Sequence, residues 1–162
     1  MKVLGIDPGT AACGYGIIQA DGGRLAALEH GWWRSSAREA PELRLKRIHD
    51  GVTGLIAEHR PDAVALEESY VGADARTALS VGQARGAVMV AAANAGVECA
   101  EYPPARVKQV VCGYGRAEKQ QVQKMVKAIL SLHALPTPTH ASDALAVAIC
   151  HALAPPLLRI AG

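Results

Sequence analysis

The sequence contains no phenylalanine, and all aromatic residues together make up 4% of the chain. We therefore expect a core of alanine, valine, leucine and isoleucine side chains, and an aromatic ring in a polar stretch is more informative than usual. Only 20% of the residues are charged, against 50% that are hydrophobic. This balance is typical of a globular protein and argues against disorder or a collagen-like repeat.

Cysteine is scarce and scattered. Cys13, Cys99, Cys112 and Cys150 show no C-x-x-C spacing, and the N-terminus runs directly into a strand-like segment rather than a signal peptide. We therefore expect a reduced, cytoplasmic protein. Long apolar runs are also missing: the longest, residues 86–93, falls well short of the roughly 18 residues that a membrane span needs, so no membrane association is expected.

The order of the sequence patterns indicates the fold class. Three strand patterns come first, and short strands alternating with helices follow an amphipathic helix, which predicts an α/β, RNase H-like fold with a mixed five-stranded sheet and helices on both faces. A length of 162 residues fits one domain, over residues 1–162. The predicted strands are residues 2–7, 14–20, 25–33, 63–66 and 97–102, and the main helices are 41–59, one ending near residue 95, and one starting near residue 140.

Positive charge is concentrated in one segment, although the net charge is only +2. Residues 106–127 hold six basic side chains and one acid, Glu118, so this segment carries +5 and leaves −3 for the rest of the chain. A local basic face is what phosphate binding requires. A solvated helix face would produce the same pattern, so charge alone leaves both interpretations open.

Two carboxylates are expected to meet at one edge of the predicted sheet. Asp7 ends the first strand and Glu67 ends the fourth, and the crossover helix allows these strands to lie side by side and parallel. The carboxyl edge is the usual place for sites in open α/β sheets. The last helix adds His140 and Asp143, three residues apart on one face of its first turn, with Thr139 expected as the N-cap.

Carboxylates that are packed together raise each other's pKa unless a cation lies between them. Hard oxygen ligands suit Mg²⁺ or Mn²⁺, and two such ions would activate water and stabilise the leaving oxygen in an in-line displacement at phosphorus. The pattern therefore predicts a metal-dependent nuclease. Taken singly, each residue has a simpler explanation: a turn-forming Asp, a solvated Glu at a strand end, or an Asp that complements the helix dipole.

Short motifs along nearly the whole chain carry a family resemblance. Together, in this order and spacing, they closely resemble the RuvC-type Holliday-junction resolvases, the crossover junction endodeoxyribonucleases. The motifs are Gly5-Ile6-Asp7-Pro8-Gly9-Thr10, Gly14-Tyr15-Gly16, Ala65-Leu66-Glu67, Gly82-Gln83-Ala84-Arg85-Gly86, Val107-Lys108-Gln109, Ala117-Glu118-Lys119 and Ala141-Ser142-Asp143-Ala144-Leu145-Ala146.

The resemblance implies a structure-specific endonuclease that acts in homologous recombination and DNA repair. Such an enzyme is a homodimer that binds a four-way DNA junction and nicks two opposed strands symmetrically, with two Mg²⁺ or Mn²⁺ ions in each active site. It also implies a partnership with the RuvA-RuvB branch-migration complex. No nucleotide cofactor is expected.

The resemblance also assigns roles at the site. Asp7, Glu67 and Asp143 match three of the family's four acidic metal ligands, and His140 stands where many members carry the fourth, an Asp. A neutral imidazole binds a divalent metal or positions the attacking water, and a helix N-terminus favours the neutral form. We therefore expect activity to fall as the pH drops through the pKa of His140.

Further residues are expected to contact DNA. The resemblance places Lys108 and Lys119 close to the scissile phosphate, and Tyr70 where a family aromatic stacks on an unpaired base at the junction centre. Arg76 and Arg116 are additional candidates for DNA contacts.

Two glycines four residues apart, Gly82 and Gly86, lie on the long helix before residue 95. They would let another backbone approach closely. One explanation is tight packing of this helix on the sheet, and the family resemblance adds a dimer interface. The sequence does not separate these explanations.

Three other classes of protein share features with this sequence. Sugar kinases and actin-like ATPases place a phosphate-binding loop on the same hairpin, but they duplicate the domain, and 162 residues hold only one. A junction-binding module without cutting activity is disfavoured by the full set of carboxylates. A ribonuclease or transposase-like relative would share the metal site, whereas Tyr70, Lys108 and Lys119 favour branched DNA.

Overall fold

The computed structural model describes residues 1–36, 38–68 and 75–155. Within them the chain forms a five-stranded sheet and five helices. The strands are β1 (Lys2–Asp7), β2 (Ala12–Asp21), β3 (Arg24–Arg34), β4 (Ala63–Glu67) and β5 (Glu98–Tyr102). The helices are α1 (Pro41–His59), α2 (Ala75–Asn94), α3 (Pro104–Cys112), α4 (Lys119–Ile129) and α5 (Thr139–Leu153).

The strand order across the sheet is β3-β2-β1-β4-β5. Strands β1, β2 and β3 pair antiparallel, while β4 is parallel to both β1 and β5. Ile6 is in register with Leu66, so the residues that follow them, Asp7 and Glu67, lie at the same edge of the sheet. This topology confirms the predicted mixed sheet and its RNase H-like strand order.

Helices cover both faces of the sheet, as predicted. One core cluster joins the sheet to α1 and α2, and a second joins it to α3, α4 and α5. Both clusters are built almost entirely from aliphatic side chains, as expected for a chain without phenylalanine. None of the helices among the described residues is long and apolar enough to cross a membrane.

Helix α5 lies with its backbone directly on glycines of the sheet. A Cβ atom on Gly5 would lie 2.0 Å from the carbonyl oxygen of Ala144, and one on Gly14 would lie 2.1 Å from the carbonyl oxygen of His140. Only glycine leaves room for this approach. The glycines therefore determine where the first turn of α5 sits relative to β1 and β2.

The start of α5 differs from the prediction. Thr139 is the first residue of the helix rather than its cap, and the N-cap position is occupied by Pro138, which makes no side-chain cap hydrogen bond. The predicted Thr139 N-cap is therefore wrong. The helix needs no polar cap for its position, because its contact with Gly5 and Gly14 already determines it.

Gly82 and Gly86 on α2 do not pack on the sheet. A Cβ atom at either position would meet no atom of the described residues within 4 Å. Helix–sheet packing is therefore the wrong explanation for these glycines. They belong to a surface of α2 that also carries Leu79 and Val90, which are 65% and 54% exposed.

Candidate active site

His140 and Asp7 form the centre of the site. Asp7 is the last residue of β1, and His140 lies in the first turn of α5, seated against Gly14 of β2. The Nδ1 atom of His140 is 2.7 Å from the Oδ2 atom of Asp7. Both side chains remain partly open to solvent, with exposures of 42% for His140 and 20% for Asp7. A ligand can therefore reach this pair.

Asp143 lies on the same face of α5, one turn further along. Its Oδ2 atom is 2.8 Å from the Nζ atom of Lys119, the first residue of α4. Asp7, His140 and Asp143 each offer a ligand atom, and these atoms all lie within 4.8 Å of one another. This spacing allows one ion to be shared by the three side chains.

Glu67 completes the acidic cluster from the neighbouring strand, although it is not part of that triplet. Its pKa is raised to about 7, first by burial and then by the negative charges of Asp7 and Asp143. Lys108 and Lys119 act in the opposite direction. Burial and the neighbouring carboxylates thus both disfavour the ionised form of Glu67, and a cation in the cluster would favour it.

The other ionisable groups respond to the same environment. Burial raises the pKa of Asp143, the hydrogen bond from Lys119 opposes this effect, and the charge of Asp7 adds to it. Burial is the largest single effect on Lys119 and disfavours its ammonium form. The hydrogen bond to Asp143 and the negative charges of Asp143, Asp7 and Glu67 together outweigh it, so the pKa of Lys119 is raised. The charges of this site are thus strongly interdependent.

The pKa of His140 is also raised, mainly by its hydrogen bond to Asp7, while burial acts against the increase. The expectation that the helix N-terminus keeps this imidazole neutral is therefore wrong for the protein without metal. The contact with Asp7 is direct and short, whereas the helix dipole acts diffusely and is screened by solvent. When protonated, His140 partly offsets the negative charge of the cluster.

A cavity of 180 Å³ opens beside the cluster. Its polar lining comes from Glu67, Lys108, Lys119 and Asp143, which brings the two predicted phosphate-contacting lysines to the same place as two predicted metal ligands. Val107 and Val122 form part of its apolar wall. The cavity thus presents an acidic centre with a cationic side.

The donor set fits a hard divalent cation. Three carboxylates and one imidazole are the ligand types that bind Mg²⁺ or Mn²⁺, with the imidazole more favourable to Mn²⁺. The pKa of Glu67, raised by burial and then by the charges of Asp7 and Asp143, agrees with this, because a divalent ion would favour the ionised carboxylate against both effects. The residues present therefore suit the metal site that the sequence predicts.

The other predicted DNA contacts are Arg76, Arg116 and Tyr70. Arg116 is exposed in the turn between α3 and α4, close in sequence to Lys119, and Arg76 is exposed in the first turn of α2. Tyr70 lies outside the described residues. The structure thus brings Lys108 and Lys119 to the acidic cluster.

Two features of the site escaped the sequence analysis. Gly14 supports His140 directly, and a glycine inside a strand pattern was the available signal for such a close approach. The hydroxyl groups of Thr10 and Ser80 form a hydrogen bond that ties the loop after Asp7 to α2. No local pattern could have indicated this second contact, because 70 residues separate the two side chains.

The chain is similar to a large set of known proteins. Residues 3–151 match the sequence model of the family described as crossover junction endodeoxyribonuclease RuvC. The protein of that name from Heliobacterium modesticaldum is 53% identical over 150 residues, which cover 93% of each chain.

Solved structures agree with the sequence comparison. The structure of Thermus thermophilus RuvC has 41% sequence identity and a TM-score of 0.88, over 94% of this chain and 93% of that one. Thermus thermophilus RuvC in complex with a Holliday junction substrate has 40% identity and a TM-score of 0.90 over the same shares. The yeast mitochondrial resolvase Ydc2, 12% identical with a TM-score of 0.63, shares the fold. This chain therefore belongs to the RuvC family of crossover junction endodeoxyribonucleases, as its sequence motifs predict.

Proposed function

We propose that this chain resolves four-way DNA junctions by paired, symmetric nicks through divalent-metal-dependent hydrolysis, in homologous recombination and DNA repair. The observation that carries the proposal is the convergence of Asp7, His140 and Asp143, whose ligand atoms lie within 4.8 Å of one another. They stand beside a cavity that also holds Glu67 and two lysines. Family membership supplies the substrate class.

Asp7, Glu67, His140 and Asp143 are the proposed metal ligands. Asp7 lies between the other groups: its carboxylate touches His140, and its charge acts on both Glu67 and Asp143. We propose that Asp7, Glu67, His140 and Asp143 would together hold two divalent ions. When bound, Mg²⁺ or Mn²⁺ would supply a water of lowered pKa and stabilise the charge on the leaving oxygen.

The protein's own cations have two tasks. In the metal-free protein, Lys119 neutralises Asp143 and His140 neutralises Asp7. For His140 to act as a metal ligand, its imidazole would have to be neutral. Lys119, whose side chain is 56% exposed, is then free to bind a phosphate oxygen, together with Lys108 from α3. Arg76, Arg116 and Tyr70 remain proposed DNA contacts.

We propose a homodimer that uses the exposed surface of α2. Leu79, Gly82, Gly86 and Val90 recur at intervals of three or four residues and so share one side of the helix. The two large residues are more than half exposed, and the glycines would allow a second helix to approach closely. A twofold dimer supplies two active sites for two opposed strands.

The cellular setting is proposed on family grounds. The chain would work in the cytoplasm with a RuvA-RuvB branch-migration complex. All four cysteines are free, which fits a reducing compartment.

The decisive experiment compares three substrates: a synthetic mobile four-way junction, a linear duplex of the same sequence and an RNA–DNA hybrid. Each is incubated with purified protein in Mg²⁺, Mn²⁺ or chelator. We expect cutting only of the junction, and none in chelator. Cutting of the hybrid instead would indicate a ribonuclease, and binding of the junction without cutting in either metal would indicate a binding module.

A further inference from the structure

Two adjacent tryptophans on β3 face opposite sides of the sheet. The ring of Trp33 stacks on Tyr15 with centroids 4.8 Å apart, and a Cβ atom on Gly51 of α1 would lie 2.3 Å from its indole. Trp33 is therefore packed between the sheet and α1. Because side chains alternate along a strand, Trp32 projects to the other face, which is the face of α5. Its side chain is 44% exposed.

Trp32 is aligned with Asp7 across three neighbouring strands of the sheet. Asp7 on β1 pairs with Gly14 on β2, and Gly14 pairs with Trp32 on β3. Paired residues on adjacent antiparallel strands point to the same face, with Cβ atoms about 4.5–5.5 Å apart. A Cβ atom on Gly14 would lie 2.9 Å from the Cβ atom of His140. The Cβ atom of Trp32 is thus within about 9 Å of that of His140.

The indole and the lysines lie on opposite sides of the acidic cluster. Lys108 and Lys119 come from α3 and α4 and line the cavity with Glu67 on β4. Trp32 comes from β3, which lies across β2 and β1 from that strand. A DNA strand bound across the acidic cluster would therefore contact the two lysines on one side and the exposed ring of Trp32 on the other.

A positively charged residue, Arg34, lies next to Trp32 on the same face of β3. Arg34 lies two residues after Trp32 on the same strand, hence on the same face, and it is exposed. An aromatic ring beside an exposed guanidinium is a combination that recognises single-stranded nucleic acid, because the ring stacks on a base and the cation binds the backbone. The chain has only two tryptophans, and the packing of Trp33 leaves Trp32 as the one available at this site.

We infer that Trp32 is a substrate-binding residue, whose indole stacks on a nucleobase of the cleaved strand on the side of the metal site opposite the lysines. The inference rests on the proposed function and adds to it a DNA contact on β3. Stacking on an indole depends little on base identity, so Trp32 contributes affinity and strand placement rather than sequence preference.

Fluorescence tests the contact directly. An Asp7→Asn protein and an Asp7→Asn/Trp32→Ala protein are titrated with a four-way junction in chelator, so that neither cuts. Trp33 is present in both. We expect junction binding to quench the emission of the first protein and to leave that of the second nearly unchanged. Equal quenching in both proteins would overturn the inference, because the signal would then come from Trp33.

Affinity and cleavage give a second measurement. Trp32→Ala is expected to weaken junction binding about tenfold, and Trp32→Phe, which keeps an aromatic face, by less. Leu28→Ala, which shortens an exposed side chain on the same strand, is the matched control and should bind like the parent. Circular dichroism of each variant checks that the fold is retained.

The two proposals fail in different ways. A parent protein that does not cut junctions in either metal would refute the proposed nuclease function. A parent that cuts them, with Trp32→Ala and Trp32→Phe binding and cutting as the parent does, would refute only the role of Trp32. A loss of cutting in Trp32→Ala with unchanged affinity and unchanged quenching would indicate that Trp32 merely supports His140, and would equally overturn the inference.

Discussion

The Nδ1 atom of His140 and the Oδ2 atom of Asp7 are 2.7 Å apart, although 133 residues separate them in the sequence. This hydrogen bond is the main reason why the pKa of His140 lies above its ordinary value of 6.5. The protonated imidazole is therefore favoured next to Asp7, where a metal ion would also bind. Metal and proton compete for the same pair of residues.

This competition predicts the pH dependence of activity. His140 binds its proton more tightly than a free histidine, so at low metal concentration the cleavage rate should fall as the pH drops through its raised pKa. A His140→Asp variant should remain active at lower pH, because it has no imidazole to deprotonate, and should prefer Mg²⁺ more strongly than the parent does. Unchanged pH profiles and Mg²⁺-to-Mn²⁺ rate ratios would contradict a role for His140 as ligand.

The raised pKa of Glu67 predicts that the metal-free protein becomes less stable as the pH rises. Its pKa is about 7 in the folded protein and 4.5 as a model value, so between these values the folded chain holds a proton that the unfolded chain has lost. The free energy of unfolding should therefore decrease as the pH rises from about 4.5 to about 7. In chelator at pH 8, Glu67→Gln should be more stable than the parent by on the order of 1–3 kcal/mol.

Urea unfolding at several pH values measures this difference. The two proteins should converge near pH 4.5, and saturating Mg²⁺ should reverse their order at pH 8, because the metal stabilises the ionised carboxylate. Glu68→Gln, at an exposed neighbouring position, is the control and should follow the parent throughout. A constant gap between parent and Glu67→Gln at all pH values would show that the carboxyl does not titrate in this range.

Lys119 should matter more for the reaction than for binding. Lys119→Met removes the cation that contacts Asp143 and faces the cavity, and we expect the cleavage rate at saturating junction to fall about 100-fold. Lys124→Met removes an equal charge from an exposed position of the same helix and should lower the rate little. Single-turnover cleavage and gel-shift affinity separate the two effects. Similar losses in both variants would point to general charge attraction instead.

Gly14 should be intolerant of even one methyl group. A Cβ atom there would lie 2.1 Å from the carbonyl oxygen of His140, so Gly14→Ala must displace the first turn of α5. We expect a loss of stability of about 1–3 kcal/mol. The cleavage rate should fall at least about 100-fold, since small displacements of catalytic groups have effects of this size.

Gly54 provides the comparison for this substitution. It lies within α1, and a Cβ atom there would meet nothing within 4 Å. Gly54→Ala should therefore stabilise the helix by about 0.5–1 kcal/mol and leave cleavage unchanged. Thermal unfolding and junction cleavage of both variants test the pair. Full activity in Gly14→Ala would show that α5 can shift without disturbing the site.

If the proposed dimer is correct, a monomeric variant should nick one strand of the junction rather than two opposed strands. Val90→Glu places a charge on the exposed apolar surface of α2 and should yield a monomer in sedimentation experiments. Its junction products should be mostly nicked on one strand. Leu43→Glu, at a similarly exposed position of α1, should remain dimeric. Val90→Glu that still sediments as a dimer would exclude this surface of α2 as the interface.

Much of the fold could be predicted because its signals are local. The limits of β1 and α1 follow from Pro8 and Pro61, and the hairpin after β2 follows from Gly22 and Gly23, whose φ angles of 52° and 85° favour glycine. The meeting of Asp7 and Glu67 required only the rule that a crossover connection makes strands parallel.

The features that could not be predicted depend on contacts between distant segments. The hydrogen bond to Asp7 is the largest influence on the pKa of His140, so an argument from its own helix gave the wrong direction for this pKa. The orientation of Gly82 and Gly86 depends on how α2 lies on the sheet, which the composition of the helix does not reveal. Strand alternation does place Trp32 and Trp33 on opposite faces, but it cannot tell which face carries the site.

The backbone contact between α5 and the glycines of β1 and β2 has a consequence for ion selectivity. At Gly5 and Gly14 the strands contact the backbone of α5 directly. No flexible side chain lies between them that could adjust if the distance between Asp7 and the helix changed. A calcium ion needs oxygen distances of about 2.3–2.6 Å, compared with about 2.0–2.1 Å for magnesium. The larger ion would have to be accommodated by the ligand side chains rather than by a shift of the helix, so a rigid scaffold of this kind would discriminate by ionic radius.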